Sequence, residues 1–252
     1  MSEYQYYEFE AIDRRLSESD KIELQQISSR VRLTSSKAMF VYNYGDFPDE
    51  AERVLAKYFD AMLYVTNWGT KRLMFRFPLS LIDPAELMPY CVQDIISITV
   101  INESAILDIW FEEEDSEWVD GEDWLSSLIG LRAEVLRGDF RFLYVAWLHA
   151  TQLSEGSERD DKPIEPPLHD NFQNLTPSLT SFIEFLEIAP DQLAGATVNS
   201  QSKRPTSPLD FEKLIPMLSD SERNDFLVRL ARGEPNLDIK LLKALRNLKL
   251  VA

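Results

Sequence analysis

The stretch AILDIWFEEEDSEWVDGEDW, residues 105–124, is where two sequence patterns meet. Its beginning, AILDIWFEE, predicts a strand that pairs with DIISITVI, residues 94–101, as a hairpin across a short turn. From Asp120 onward the patterns are helical only. The boundary between two units therefore lies inside this stretch. The predicted units are an α+β domain with an acidic strand end over 1–119 and an α-helical region over 120–252.

Three further segments of the first half predict strands. YQYYEFEAI (4–12) alternates acids with aromatic and apolar residues, which is typical of a strand with one buried face. KAMFVYNY (37–44) and TKRLMFRFP (70–78) also have strand-like patterns. Together with the hairpin, these segments predict a mixed β-sheet of about five strands.

Two main helices are predicted beside these strands. Ser17, with Asp20 three residues later, has the pattern of a helix cap and predicts the first helix. The second helix has the most regular pattern, since apolar residues recur at three- and four-residue spacing over residues 51–65. We predict that this helix begins after Asp46 and ends at Gly69, because glycine commonly follows the last helical residue.

Helical patterns fill the second half of the chain. FRFLYVAWLHA, residues 140–150, is apolar almost all round, which is typical of a helix buried among other elements. Two polar, aperiodic stretches, near 154–175 and 199–208, predict exposed linkers. Three short helices are predicted after the second linker. The predicted fold class is therefore α+β, with a mixed β-sheet half and two main helices followed by an α-helical half.

Negative charge is concentrated in the middle of the chain. The 26 basic and 43 acidic residues give a net charge of −17, but the 55 residues between Arg76 and Arg132 contain 13 acids and no Lys or Arg. Such a field repels the phosphate backbone of nucleic acids and attracts a basic protein surface. We therefore expect a basic protein partner and no direct binding of nucleic acid.

The densest acidic run is the candidate partner-binding surface. A tryptophan among carboxylates is typical of an interface anchor. Trp124 lies on the apolar stripe of the following helix with Leu128 and is assigned to the core, whereas Trp118 lies off that stripe. Trp118 is therefore interpreted as a contact residue, with local packing on the hairpin as the alternative. The candidate partner-binding residues are Glu112, Glu113, Glu114, Asp115, Glu117, Trp118 and Asp120.

The residues that common catalytic and metal sites need are scarce in the sequence. The two histidines, His149 and His169, have no Cys or second His at ligand spacing, so no metal site is predicted. His149, at the end of an apolar helix, is interpreted as a packed, hydrogen-bonded residue. The sequence contains no phosphate-binding glycine loop, dinucleotide fingerprint or glycine-flanked serine nucleophile. We predict no catalytic residue and no cofactor, and an enzyme with a carboxylate-only site is the third hypothesis.

The last predicted helix carries a leucine stripe that continues to the end of the sequence. Basic residues occupy its other faces, so the helix is amphipathic. The stripe either docks on the protein's own helical half or meets a second chain. Internal docking is favoured, because an isolated helix of this length is marginal in water. The candidate assembly residues are Leu237, Leu241, Leu245 and Leu248.

Five segments of the chain carry a resemblance to known proteins. They are YYEFEAIDR (6–14), YGDF (44–47), NWGTKRLMFRFP (67–78), WFEEEDSEW (110–118) and RGDFRFLYVAWLHA (137–150). Together they resemble a bacterial protein family that has no assigned function. Members of that family are encoded beside proteins with a SWIM-type zinc finger. The resemblance implies an association with such proteins and supplies no catalytic or ligand-binding residue.

The sequence predicts a non-enzymatic interaction or adaptor protein whose acidic middle binds a basic partner. The alternative is an acidic mimic of nucleic acid that occupies the basic groove of a DNA- or RNA-processing protein. Mimicry needs carboxylates spaced like phosphates along an extended surface, whereas an adaptor needs acids around an apolar anchor. The sequence contains no run of 18 apolar residues and no secretory signal, so we expect a cytoplasmic protein without a membrane span.

Overall fold

The N-terminal half of the chain forms one seven-stranded sheet. The computed structural model describes residues 3–113, 120–153, 164–167, 172, 174–189, 192–193 and 210–251. The strands are β1 (Gln5–Glu10), β2 (Arg32–Leu33), β3 (Lys37–Tyr42), β4 (Ala61–Thr66), β5 (Thr70–Pro78), β6 (Ile96–Ile101) and β7 (Ser104–Glu112). Their order is β2-β3-β1-β4-β5-β7-β6, and every neighbouring pair is antiparallel. In this described sheet, β2 and β6 are the edge strands.

The α+β fold class is confirmed, but the prediction of a mixed sheet with about five strands is wrong in two respects. The sheet is antiparallel, because short turns connect β4 to β5 and β6 to β7, and such turns can join only antiparallel strands. It also has two more strands than the sequence patterns indicate. One of them, β2, has only two residues, too few to produce a periodic pattern.

The second additional strand, β4, lies where the sequence predicts a helix. Only the first part of that predicted helix forms α2 (Ala51–Tyr58), which begins after Glu50 rather than Asp46. The remainder forms β4, which is buried on both faces between β1 and β5. A strand covered on both faces has a continuous apolar run that periodicity cannot distinguish from a buried helix. Gly69 does not end a helix but turns the β4–β5 hairpin, with a φ of +94°.

Strand β1 is buried on both faces, whereas its alternating acids predict one solvated face. Glu8 accepts hydrogen bonds from Lys37 Nζ at 2.7 Å and from the Tyr6 hydroxyl at 2.9 Å. Lys37 also donates to Ser126 Oγ, at 2.8 Å, on the first helix after residue 120. The buried carboxylate is therefore paired and hydrogen-bonded, as burial of a charge requires.

Nine α-helices lie within the described residues. The capping box predicted at Ser17 and Asp20 is confirmed at the start of the first helix. The three predicted C-terminal helices are also confirmed. Within the described residues, no helix has the length and apolarity that crossing a membrane requires. The helices are α1 (Glu18–Ile27), α2 (Ala51–Tyr58), α3 (Trp124–Leu128), α4 (Gly130–Leu136), α5 (Arg141–Leu153), α6 (Pro177–Phe185), α7 (Phe211–Leu214), α8 (Asp220–Ala231) and α9 (Leu237–Val251).

The sheet separates two hydrophobic cores. On one face, Phe75 of β5 packs against Phe142 of α5, which in turn contacts Phe182 of α6. On the other face, Phe9 of β1 packs with Leu55 of α2. Burial of these apolar surfaces is the main force that holds the helices on the sheet. The predicted linker at 199–208 lies outside the described residues, as does most of the linker near 154–175.

A buried ion network joins the two halves. Arg132 of α4 donates to both carboxylate oxygens of Asp13, with distances of 3.0 and 2.7 Å. Asp13 also accepts from Asn236 Nδ2 at 2.9 Å, just before α9. Arg76 of β5 pairs with the buried Asp60, whose other oxygen accepts from the backbone N–H of Asp13 at 2.8 Å. The network therefore connects the sheet to α4 and to the C-terminal helices.

Candidate functional site

One end of the sheet gathers exposed aromatic and acidic side chains. At this end β1 begins, with Gln5 paired to Tyr42 of β3 on one side and to Thr66 of β4 on the other. The next hairpin brings Thr70 of β5 opposite Glu112 of β7. Loops that leave these strand ends therefore meet at one place. We define the acidic end of the sheet as Tyr44, Asp46, Trp68, Glu112, Asp120 and Glu122.

Hydrogen bonds hold together the segment before β1, the loop after β3 and the β4–β5 turn. The Tyr4 backbone N–H donates to Asn67 Oδ1 at 2.9 Å, and the Asn67 N–H donates back to the Tyr4 carbonyl at 3.1 Å. On the other side of β1, Gln5 Nε2 donates to the Gly45 carbonyl at 3.1 Å. These bonds fix the loops that carry Tyr44 and Trp68 on either side of the start of β1.

Two further hydrogen bonds bring in the acidic run. The Glu113 backbone N–H donates to the Gly69 carbonyl at 3.1 Å, which places the end of β7 beside the β4–β5 hairpin. The Tyr4 hydroxyl donates to the Asp120 carbonyl at 2.6 Å. Next to it, Gly121 packs so closely on Tyr6 that a Cβ atom there would lie 2.5 Å from the tyrosine ring. The chain is therefore anchored where it leaves β7 and again where it returns at Asp120.

The aromatic members of the acidic end are exposed to solvent. Tyr44 is 75% exposed and Trp68 is 44% exposed. They lie two residues beyond Tyr42 and Thr66, which flank Gln5 in the register of the sheet. Strands that flank a common neighbour are about 10 Å apart, so the loops that carry the two residues leave the sheet close together. Large exposed aromatic side chains of this kind are common anchors in protein interfaces.

The carboxylates of the acidic end act in two pairs on two different tyrosines. Burial raises the pKa of Tyr4, and the charges of Asp120 and Glu122 raise it further. Burial also raises the pKa of Tyr64, and the charges of Asp46 and Glu112 add to the increase. Two of the four exposed acids therefore lie near Tyr4 and the other two near Tyr64, on opposite faces of the sheet.

These four acids have no counter-charge from the described part of the chain. None of Asp46, Glu112, Asp120 and Glu122 forms an ion pair with a described residue. Arg72, which lies over Trp110 beside Glu112, is already paired: its Nε and Nη2 atoms donate to the two carboxylate oxygens of Asp108 at 2.9 and 2.6 Å. The surface is therefore a site of negative charge that a cationic partner can neutralise.

Glu112 and Trp110 are held in place by this pairing. The Arg72 guanidinium lies over the Trp110 ring, 4.4 Å from its centre, and the Trp110 Nε1–H donates to Glu112 Oε1 at 2.8 Å. A cation over an indole ring is attracted by the π-electrons. Glu112 itself is exposed, so its position is fixed while its charge remains available.

Glu113 points inward, unlike its neighbour Glu112. Its Oε1 lies 3.0 Å from Nε2 of His149, whose ring packs edge-on against Phe111 and is only 7% exposed. Burial alone would raise the pKa of Glu113, but the hydrogen bond and charge of His149 outweigh burial and lower it. The interpretation of His149 as a packed, hydrogen-bonded residue is confirmed. The Glu113 carboxylate is therefore paired with a residue of the fold itself.

Only some of the predicted partner-binding residues are members of the acidic end of the sheet. Glu112 and Asp120 are exposed members of the acidic end, whereas Glu114, Asp115, Glu117 and Trp118 lie outside the described residues. The sequence did not indicate Tyr44, Asp46, Trp68 or Glu122. The signal that could have found the two aromatics is their place beside a turn glycine, in YGDF and NWGT. An aromatic ring beside a turn is exposed unless another element covers it.

The candidate assembly leucines lie mainly within the chain's own C-terminal unit. Leu245 is 1% exposed and packs with Leu214 and Leu218, and Leu241 and Leu248 pack partly against them. Leu237 is also buried. Their role in assembly stays a prediction, whereas their packing shows how α9 is attached to α7.

The described residues contain no group of three or more His, Cys, Asp or Glu side chains arranged to hold a metal ion. Of the two histidines, His149 is bound by Glu113 and His169 lies outside the described residues. What the acidic end offers is charge and aromatic contact area. Comparisons of the chain with protein-family models, with curated proteins and with solved structures found no match.

Proposed function

We propose that the chain is a protein-interaction adaptor whose acidic end binds a basic surface on a partner protein. The observation that carries this proposal is the combination of two exposed aromatic side chains, Tyr44 and Trp68, with four carboxylates that have no described counter-charge. Aromatic anchors supply contact area that is removed from water, and the surrounding charges steer and orient a basic partner.

The arrangement of the acids favours an adaptor over a mimic of nucleic acid. The carboxylates and the exposed aromatic side chains lie at one end of a single sheet, with two acids near Tyr4 and two near Tyr64. A mimic would instead present carboxylates in a row that follows the phosphate spacing of a strand, with no need for an exposed tryptophan. The resemblance to a family encoded beside SWIM-type zinc-finger proteins stays a prediction and suggests one class of partner to look for.

The proposal can be tested by affinity capture from an extract of the native host, with the bound proteins quantified by mass spectrometry. We expect the partner to bind at low salt and to be weakened at physiological salt, because exposed charges are screened over about 10 Å at 0.1 M. Glu112→Gln/Glu122→Gln should lose most of the captured partner. Trp68→Ala should lose it at both salt concentrations, because its contribution is contact area rather than charge.

A matched control removes the same charge elsewhere on the molecule. Glu86 and Glu103 are exposed acids outside the acidic end, and Glu103 lies in the β6–β7 turn at the opposite end of β7, where Ser104 pairs with Pro78. Glu86→Gln/Glu103→Gln should retain the partner. Equal loss of the partner from both double variants would mean that only the net charge matters. Retention of the partner by both variants would show that the acidic end is not part of the interface. Displacement of the partner by double-stranded DNA would favour the mimic.

A further inference from the structure

A proline-containing segment of the chain lies across one face of α5. It consists of residues 164–167, with the sequence IEPP, and we call it the strap. The Tyr144 hydroxyl of α5 donates to Glu165 Oε1 at 2.8 Å, and the Tyr90 hydroxyl donates to the Pro167 carbonyl at 3.0 Å. Pro166, between these two contacts, is buried. The strap is therefore bound to the helical layer at two points.

The sequence of the strap restricts its backbone to an extended conformation. A residue that precedes a proline avoids helical backbone angles, and both Glu165 and Pro166 precede a proline. Proline also fixes its own φ near the value of the polyproline II helix. Proline-rich segments in this conformation dock into grooves that are lined by aromatic side chains. The strap has the chemistry of such a segment.

The surface beneath the strap is a row of aromatic rings. Phe140, which immediately precedes α5, recurs with Tyr144 and Trp147 at four- and three-residue spacing, so the three share one face of the helix. The ring centres of Tyr90 and Phe140 are 5.9 Å apart, and so are those of Tyr144 and Trp147. We define the aromatic groove as Tyr90, Phe140, Tyr144 and Trp147.

The strap covers only part of the aromatic groove. Because Pro167 lies at Tyr90 and Glu165 at Tyr144, the residues before Glu165 are directed toward Trp147. Ile164 is 90% exposed, so the strap leaves the groove before it covers Trp147. Trp147 is only 7% exposed, and its Nε1–H has no acceptor among the described residues. A buried donor without an acceptor is unfavourable, and the strap does not supply the acceptor.

We propose that the aromatic groove binds a proline-rich segment of a partner protein and that the strap blocks the groove in the free chain. The described contacts of the strap are two hydrogen bonds and one buried proline, so it opens more easily than the core unfolds. A ligand that continues as polyproline II before the position of Glu165 advances about 3.1 Å per residue toward Trp147. Its carbonyl groups then accept from the Trp147 Nε1–H, a contact that the strap lacks.

A labelled peptide with the sequence of residues 162–170, KPIEPPLHD, tests the groove in the full-length chain. Pro166→Gly/Pro167→Gly releases the strap, because glycine removes both the fixed φ and the buried ring. Fluorescence anisotropy should show that this variant binds the peptide at least about tenfold more tightly than the wild type, whose own strap competes at high effective concentration. The peptide should also raise the melting temperature of the variant. A control peptide with all three prolines changed to alanine should do neither.

A second peptide tests the part of the groove at Trp147. It carries Lys162→Pro and Ile164→Pro, so its polyproline II conformation continues beyond Glu165. We expect it to bind the strap variant several-fold more tightly than the first peptide does. Trp147→Phe, added to the strap variant, should remove this gain and leave the affinity for the first peptide unchanged. The unchanged affinity shows that the groove is still folded. Equal affinities of the two peptides for the strap variant would overturn the role of Trp147.

Three other results would overturn the proposal. If neither peptide binds the strap variant, the strap is only a part of the fold. If the wild type and the strap variant bind equally, the peptide binds elsewhere on the molecule. Wild-type dimers that the first peptide dissociates would assign the groove to the strap of a second copy. Adding Glu112→Gln/Glu122→Gln to the strap variant should leave both affinities unchanged, because the aromatic groove shares no residue with the acidic end.

Discussion

The packing at the acidic end of the sheet requires a residue without a Cβ atom at position 121. Its φ is +83°, and a Cβ at this position would lie 2.5 Å from the Tyr6 ring and 2.7 Å from Val65. We expect Gly121→Ala to lower the free energy of unfolding by about 2–5 kcal/mol, because overpacking and a left-handed backbone both cost energy. Urea denaturation measures this change.

Gly45→Ala is the matched control for Gly121→Ala. Gly45 has a similar φ of +76° but has no atom within 4 Å of an added Cβ. Its substitution should cost only the backbone strain, about 1–2 kcal/mol. Equal losses in the two variants would show that the close contact of Gly121 with Tyr6 does not constrain the fold.

The buried Arg132 provides a second prediction at the scale of single residues. Arg132→Met leaves Asp13 without its bidentate partner and should destabilise the protein by about 3–5 kcal/mol. Arg53→Met, which removes an exposed pair with Glu50, should cost less than about 1 kcal/mol. Thermal or urea denaturation at neutral pH compares the two variants. A loss in Arg132→Met no larger than in Arg53→Met would contradict this account of the network.

The same pair predicts a dependence on pH. Burial alone would raise the pKa of Asp13, but the hydrogen bonds and charge of Arg132 outweigh burial and lower it. A carboxylate with a lowered pKa stabilises the fold above its ordinary pKa of about 3.9, and this contribution is lost as the pH falls through its folded value. The stability difference between wild type and Arg132→Met should therefore shrink as the pH falls below about 4.

At the level of residues, the sequence predicted local features better than distant ones. The capping box at Ser17 and Asp20 needs only neighbours in the chain, and it was predicted correctly. The bond between Arg132 and Asp13 joins residues 119 positions apart, and no local pattern indicates it. The same holds for Glu8, whose burial depends on Lys37 of another strand.

At the level of elements, β4 shows the limit of periodicity. Apolar residues over 51–65 fit one helical stripe. The helix nevertheless ends before Phe59–Asp60, and the residues that follow form a strand. The decisive interaction is pairing with β1 and β5, which covers both faces of β4. Tertiary contacts override local preference in such a segment. Strands β6 and β7 were predicted correctly, because they pair with each other across a short turn and their pairing depends on residues that are close in sequence.

The C-terminal unit supplies the prediction at this scale. Its buried core within the described residues is small, with Leu245 at the contact of α9 with α7. Leu245→Ala should cost about 2–5 kcal/mol, because it leaves a cavity in a core with few other contacts. Hydrogen exchange should show faster exchange over 211–248 while the sheet stays protected. Met217→Ala, at an exposed residue of the same unit, should leave exchange unchanged, and equal exchange in both variants would contradict the role of Leu245.

On the scale of the whole molecule, charge was easier to predict than shape. The uneven distribution of acids follows directly from the sequence, and Glu112 and Asp120 are exposed as that distribution suggests. The aromatic members of the acidic end, Tyr44 and Trp68, come from two loops that only the strand order brings together. A site assembled by topology cannot be predicted before the topology is known.

The outer edge of β6 has a consequence for the protein in concentrated solution. Its sequence, ISITVI, has no charged residue and no proline, and Ser97, Thr99 and Val100 are exposed. Natural proteins usually protect an edge strand with charge, proline or a bulge, because open backbone groups pair with other chains. Here the net charge of −17 keeps copies apart instead. Salt screens that repulsion. Concentrated stocks in high salt should therefore begin to aggregate by strand pairing at this rim.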